Sequence, residues 1–464
     1  MSKFLNDKAG PVDANAMSSI PRVSRAHLPV DIDQGLIHHY TSRLCSLLLS
    51  RHAHPDYQRL FLQSSILPKL QLMVEPLLAC ASLDLSRQFP AYRPLALAYY
   101  AQAVTRTRNA IVQKNVQGTE DWLLFNVLHL NLFETWNSGA TNEAADEPVM
   151  GGSEATTTAA TTTTPAVLHI QGAAQILKLK LQTQGSPSSV HNTTSDMVVA
   201  RIAAEAFVYH TVNWSVFHGN PIPTTTMPAA ELWNGLQPYL DLCPFPNATE
   251  AESSPVLGVP WQLYRYLSDL ALFFHQQQGM GSMDSTNGMH EILSLRDALE
   301  AWVMQHEAGQ AQTPRSPLSP YRQRTRLFVL ALRLLLLKLL HPAIATCDAR
   351  VQDLVEEATQ LIGGNDGGAD VVLERTDFWP LLVVGSAVVD RAQVAVVRAT
   401  LQTMAQTMHS VAFVKTRRAL ETIWARGEAD CGRGGCDGLT MLLGGNGVPG
   451  LMQTAVAAGD MHVR

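Results

Sequence analysis

RPLALAYYAQAVTRTRNAIVQKNVQGTEDWLLFNVLHLNLFETW, residues 93–136, is the stretch whose reading decides the fold. In its first half Leu97, Tyr100, Val104 and Ile111 recur at three- and four-residue steps, with Thr107 or Arg108 filling the interval, which predicts a half-exposed amphipathic helix. In its second half, from Asp121 to Trp136, apolar residues nearly surround the axis and predict a buried helix. Pro94 suits a first helical turn, and Gly118 followed by Thr119 reads as a stop and then an N-cap. Two adjacent helices of this kind form an antiparallel hairpin that needs further helices to cover it. Residues 168–180 are the predicted cover: Gly172, Ala173 and Ala174 permit close backbone approach, and Ile170, Ile176, Leu177 and Leu179 supply bulk.

Outward from that hairpin the same patterning continues. Upstream, Leu36, Ile37, Tyr40, Leu44 and Leu47 or Leu48 share a face, while Pro68 and Pro76 are expected to break or start helices. Downstream, Ile202, Ala206, Tyr209, Val212 or Asn213 and Val216 mark a helix stopped by Gly219 and Pro221. Helices are also predicted within 231–242, 259–278, 289–303, 351–363, 379–406 and 409–427, the fifth as one core helix in which Gly385 allows close packing. Ile292, Leu295, Leu299 and Trp302 form one apolar face, and Val411, Val414, Leu420 and Trp424 another. No strand pattern is present, so the fold is expected to be all-α, a multi-helix array of antiparallel helices with long disordered loops.

The partition follows from composition. Residues 1–30 are a polar leader and residues 31–426 a helical domain, with mobile loops about 137–165, 182–196, 276–288 and 304–322. Residues 427–464 form a Gly-rich tail with a short apolar patch. With 464 residues and 46% hydrophobic content, the chain can bury a large core. Its net charge is -6, which argues against autonomous nucleic-acid binding through a basic surface. Six scattered cysteines fit reduced thiols, and with no signal-type apolar run at the N-terminus the sequons at Asn192, Asn213 and Asn247 read as chance matches. The most apolar run, 327–342, stops short of a bilayer span and carries Arg333 and Lys338, which are expected to snorkel at the edges of a core helix.

Motifs that carry chemistry are scarce. The sequence has no phosphate loop, no nucleophile elbow and no H-E-x-x-H, and His306 and Glu307 fall in an expected linker. His38 and His39 point to different faces, and His52 with His54 forms an isolated H-x-H. Cys431 and Cys436 are a lone pair with no second pair to complete a zinc site. Accordingly no catalytic, cofactor-binding or metal residues are assigned. His210 and His218 flank VNWSVF and are candidates to face a groove, although a satisfied or exposed histidine is the commoner case. Ser316 and Ser319 each precede a proline and are candidate phosphorylation sites.

Segment order says more than any single residue. The succession LIHHYTSRLCSLL, LPKLQLMVEPLLACASLDLS, YRPLALAYYAQAVTRTRNAI, DWLLFNVLHLNLFETW, HIQGAAQIL, AEAFVYHTVNWSVFHGNPIP, DFWPLLVVGSAV and FVKTRRALETIW resembles the regulatory domain of the fungal zinc-cluster transcription factors over roughly 32–426. The resemblance implies a nuclear transcriptional regulator and not an enzyme, working through DNA-binding or transcription-machinery proteins or as a homodimer, and tied to a nutrient pathway or a secondary-metabolite gene cluster. Members of that family carry a six-cysteine zinc module and a basic stretch ahead of this domain. Here no cysteine precedes Cys45, so the expected DNA contact is indirect, unless an upstream exon supplies the module. Its effector, target genes and sense of regulation stay open. The other reading is a helical metabolic enzyme or small-molecule-binding protein, which a deep pocket with convergent His, Asp or Glu side chains would favour; a purely structural scaffold is a third.

Overall fold

A computed structural model describes residues 32–63, 70–113, 116–143, 165–184, 193–218, 229–279, 285–310, 319–363, 373–408, 411–430 and 438–443. Among them every regular element is helical, as the missing period-2 pattern predicts. In chain order the helices are α1 Ile32–His39, α2 Cys45–Leu48, α3 Asp56–Phe61, α4 Leu70–Ser86, α5 Arg93–Val112 and α6 Asp121–Glu143. There follow α7 Pro165–Gln184, α8 Thr194–His218, α9 Ala229–Leu240, α10 Trp261–Gly279, α11 Ser285–Gln310 and α12 Pro320–Leu340. The last are α13 Ala349–Gly363, α14 Phe378–Ala387, α15 Arg391–Met408, α16 Val411–Asp430 and α17 Gly438–Leu443. The leader, the Thr-rich run, Pro68, Gly219, Pro221, Ser316, Cys431 and Cys436 lie outside the described residues.

The first half is built around α4 and α6. α4 runs straight through Pro76, which therefore neither breaks nor starts a helix. It is buried from Leu77 to Leu83 and takes α1, α5 and α6 around its circumference. The hairpin prediction is met with a shift of face. α5 packs chiefly on α4 through Ala96, Tyr99, Ala103 and Thr107, because small residues let the two axes approach, and Leu97 is left exposed. Tyr100 faces α6 instead, stacked on Phe133 with ring centroids 4.5 Å apart. At the α6 start the side chain of Glu120, not Thr119, accepts from the N–H groups of Gln117 and Gly118 at 2.6 and 2.8 Å. Gly118 has φ 86, a conformation that favours glycine. α7 covers α6 as expected, with Ile170, Ala173, Ile176 and Leu177 buried. At Gly172 an added Cβ would meet only Val127, at an ordinary 3.6 Å, so that glycine is not demanded by packing.

The second half is built around α14, every residue of which is buried between α12, α13, α16 and α17. The long helix expected over 379–406 is two helices. Val388 is extended, at φ -71 and ψ 130. The Asp390 carboxylate then caps α15 by accepting from Ala392 and Gln393 N–H at 2.9 and 3.0 Å. Gly385 does allow close packing: a Cβ there would fall 2.5 Å from Leu420, and its carbonyl accepts from Trp424 Nε1 at 2.9 Å. On α16 the core stripe is Phe413, Thr416, Leu420 and Trp424, while Val414 is only partly buried. Nor does Lys338 snorkel. The residue is 5% exposed and its ammonium donates to the Ile344 carbonyl at 2.7 Å, while Arg333 reaches the Glu300 carboxylate on α11 at 2.6 and 2.8 Å.

Helices also claim residues expected in loops. α6 extends to Glu143, α11 spans 285–310 and includes His306 and Glu307, and Ser319 caps α12 by accepting from Arg322 N–H at 3.4 Å. Beyond 427, α16 carries on to Asp430 and the apolar patch forms α17, whose Leu439 and Leu442 are buried. An added Cβ at Gly438 would stand 2.1 Å from the Ser386 carbonyl oxygen, which belongs to backbone and cannot yield. Gly438→Ala is expected to release α17. Exposing two leucines costs about 3 kcal/mol, so proteolysis at the C-terminal end should quicken by roughly a hundredfold. An unchanged cleavage rate would mean that α17 does not depend on this contact.

Candidate functional site

Four chain segments far apart in sequence, around residues 50, 258, 324 and 374–377, meet at a buried cluster of charges. Arg324, in the second turn of α12, is 0% exposed. Its Nε donates to Asp377 Oδ1 and Oδ2 at 3.1 and 2.9 Å, and its Nη1 to the Gly258 carbonyl at 3.0 Å and to Glu374 Oε2 at 2.9 Å. Nη2 donates to Thr376 Oγ1 at 2.5 Å. Asp377 and Glu374 form a capping box around the turn Arg375–Asp377 that leads into α14, so their side chains are held within the turn as well as by Arg324. Two neighbouring carboxylates hold the guanidinium in its charged form against the burial that opposes it, moving its pKa further up.

Glu374 also reaches the first segment. Its Oε1 accepts from Ser50 Oγ at 3.1 Å and Arg51 N–H at 2.9 Å. A second buried carboxylate, Glu205 on α8, accepts from Arg201 Nε at 2.8 Å and from the backbone N–H groups of Val256 and Leu257 at 2.7 and 2.9 Å. The loop carrying residues 254–259 is thereby gripped from both sides, by Glu205 and by Arg324. Ser254 Oγ accepts from Gly258 N–H at 3.0 Å and donates to the Val259 carbonyl at 3.1 Å, closing the loop on itself. These partners satisfy the buried charges, the condition under which such groups are tolerated.

Beside the cluster lies a cavity of about 50 Å³ between α2, α3, α6, α8, the turn that follows α1 and the turn before α14. Its walls are mostly apolar, with Phe61, Phe125, Leu128 and Ile202 among them, and its polar groups are Tyr40, Cys45, His129, His210 and Arg375. Tyr40 and Leu44 face inward from a single π-helical turn, Tyr40–Leu44, that joins α1 to α2. His129 Nδ1 lies 2.7 Å from the Phe125 carbonyl, which can only accept, so Nδ1 carries the proton. Nε2 then accepts from the Tyr40 hydroxyl at 2.6 Å. Arg375 lays its guanidinium over the Tyr209 ring, 4.6 Å from the centroid, and donates from Nη2 to the Leu48 carbonyl at 3.4 Å. A smaller cavity on the far side shares Leu48, Leu49, Val256 and Arg375 with this one.

Burial pushes the His129 and His169 imidazoles down to about 4, and that of His210, helped by Arg375 and then His129, to about 3. All three are neutral in the native state at pH 5, whereas in the unfolded chain, near 6.5, each takes up a proton. Below about 6.5 the unfolded state thus binds more protons, and their contribution to stability is full above that pH and lost as pH falls toward the folded values. Unfolding by urea is expected to need less denaturant at pH 5 than at pH 7. His129→Gln should flatten the dependence by about one proton, roughly 1.4 kcal/mol per pH unit. An unaltered slope in the variant would rule His129 out as a contributor.

Of the residues flagged in sequence, His210 lines the cavity, and the side chain of His218 lies outside the described residues. His38 is exposed and His39 binds Asp84 at 2.9 Å. His54 stacks on Phe245 with centroids 4.0 Å apart, and its Nδ1 accepts from Asp56 N–H at 3.3 Å. His52 is half-buried near Glu374, its pKa lowered by burial. His306 stacks on Trp302 at 4.7 Å. Among the described residues no three His, Cys, Asp or Glu side chains converge as metal ligands, and no helix is long and apolar enough to cross a membrane.

A family model described as the fungal specific transcription factor domain matches residues 35–437. The chain belongs to that family. No curated protein and no solved structure matches it significantly. The fungal specific transcription factor domain takes in every residue of the charge cluster and of the cavity, and it makes the chain a fungal transcriptional regulator. Sequence reading missed the centre of that domain. Arg324 stands in RQRTR beside a Pro/Ser-rich run, where it reads as one of three solvated arginines. A usable signal existed in Glu205: with Arg201 it forms an i, i+4 pair inside an otherwise apolar helix, VVARIAAEAFV.

Proposed function

We propose that this fungal transcriptional regulator acts in the nucleus through protein contacts, with DNA-binding or transcription-machinery proteins or a second copy of itself, and that it governs a metabolic or secondary-metabolite gene set. The observation that carries the reading is the family match over residues 35–437. A net charge of -6 supports DNA contact by way of a partner, since direct phosphate neutralisation calls for a basic surface. The interlocked core supports it as well: a body whose first, middle and last segments share one charge cluster presents its outer helix faces in a fixed arrangement, as partner recognition requires. The reading assigns it no catalytic step.

Chromatin immunoprecipitation of the tagged protein in its host is the test. Discrete promoter peaks near a coherent gene set are expected, lost when a co-purifying DNA-binding partner is deleted. A cytosolic protein with no chromatin enrichment would overturn the proposal. The small-molecule-binding reading keeps one specific observation in its favour, the cavity bearing His210 and Arg375. The described residues lining it include no carboxylate.

A further inference from the structure

The cavity has polar groups whose bonding capacity the protein does not use. A guanidinium carries five N–H donors. The contact of Arg375 with Leu48, at 3.4 Å, is its one hydrogen bond among the described residues, and no carboxylate there pairs with it. His210, on the neighbouring wall, has no hydrogen-bond partner among them, whereas both nitrogens of His129 are engaged. Charge in the neighbourhood is balanced at longer range, Arg324 and Arg375 against Glu374 and Asp377. What remains is a set of unspent donors rather than a bare excess of charge. They lie at the edge of walls built from Phe61, Phe125, Leu128 and Ile202.

We infer that this cavity binds a small apolar carboxylate, with the carboxylate on Arg375 and His210 and a short hydrocarbon chain or single ring against the aromatic and aliphatic walls. The guanidinium fork matches a carboxylate with two parallel charge-assisted bonds, which a neutral oxygen cannot reproduce. Size sets the class. A water needs roughly 10–15 Å³ on the same measure, so the about 50 Å³ here holds a few waters or the head and first carbons of a small acid, and no large ring system. The wall opposite His129 is the π-helical turn bearing Tyr40, a distortion that recurs at functional sites. A bound acid would bridge α8 to the turn before α14 and so draw together elements of the two halves. This inference does not depend on the transcriptional reading, because binding is measured on the isolated chain.

The test uses the purified full chain with hexanoate as probe and hexanamide and 1-hexanol as its neutral twins, followed by calorimetry and thermal unfolding. Hexanoate is expected to bind saturably at one site and raise Tm, with both twins at least ten-fold weaker. Arg375→Gln should lose at least ten-fold in hexanoate affinity. Ala206→Phe, which fills the cavity from α8 and leaves Arg375 in place, should abolish binding while the unliganded Tm stays close to that of the parent. Equal binding of 1-hexanol, binding that survives both substitutions, or no saturable binding of hexanoate at millimolar concentration would each overturn the inference.

Discussion

Arg324→Ala is expected to lower the free energy of unfolding by about 3–5 kcal/mol, the cost of removing one partner of a buried ion pair and leaving the other charged. Two carboxylates are stranded in this case. Asp377 is 0% exposed and loses both bonds to Nε, and Glu374 loses its salt bridge and keeps Ser50, Arg51 and its half of the capping box. Arg324→Lys should recover less than half, because an ammonium is a point donor and cannot serve Asp377, Glu374, Thr376 and Gly258 at once. Urea denaturation of the full chain gives both numbers. A loss below about 1 kcal/mol for Arg324→Ala, the range of exposed pairs, would show that water reaches the cluster and that its burial is not what holds it.

Gly258→Ala should be nearly as damaging although it deletes nothing. Gly258 has φ +64, where a side chain costs roughly 1 kcal/mol. Its added Cβ would also stand 2.5 Å from Arg324 Nη1, 2.8 Å from Glu374 Oε2 and 3.0 Å from Ser50 Oγ. The methyl group pushes into the middle of the cluster, so the guanidinium must leave Glu374 or the loop must leave Glu205. An expected total of about 3 kcal/mol combines backbone strain with a displaced ion pair. Because both substitutions break the same contacts, Arg324→Ala with Gly258→Ala should cost clearly less than the sum of the two. Strict additivity in that double-mutant cycle would mean that Gly258 acts through the backbone alone.

Helices were easy to recognise in this chain and their faces were harder. Periodicity finds α5 because Leu97, Tyr100 and Val104 repeat, yet burial follows Ala96, Ala103 and Thr107, since close approach to α4 rewards small side chains over large ones. α6 is surrounded by apolar residues, so every face is the right one and the prediction cannot miss. Length was underestimated wherever polar residues extend a helix past its packed part, as in α11, where Trp302 and His306 stack beyond the last core leucine. The break at Val388 carries no proline or glycine, only the capping propensity of Asp390. The charge cluster was illegible because its members are single residues whose significance lies in convergence: Arg324, Glu374 and Ser50 have no spacing rule connecting them. His210 was visible as a candidate, but nothing local pairs it with Arg375, 165 positions away by subtraction of their residue numbers.

The bond from Ser50 to Glu374 closes a separation of 324 residues, and that from Arg375 to Leu48 one of 327. Contacts of such high order are slow to form and cannot form at all until the ribosome has made the later partner. At roughly 5–20 residues per second, the segment around Leu48 emerges and then waits about 15–65 s for its counterpart. During that interval the aromatic walls around Tyr40 and Phe61 have no Arg375 turn to close over them. The nascent chain therefore carries these walls, packed on α6 through Phe125 and His129, without their last side until residue 375 has been made.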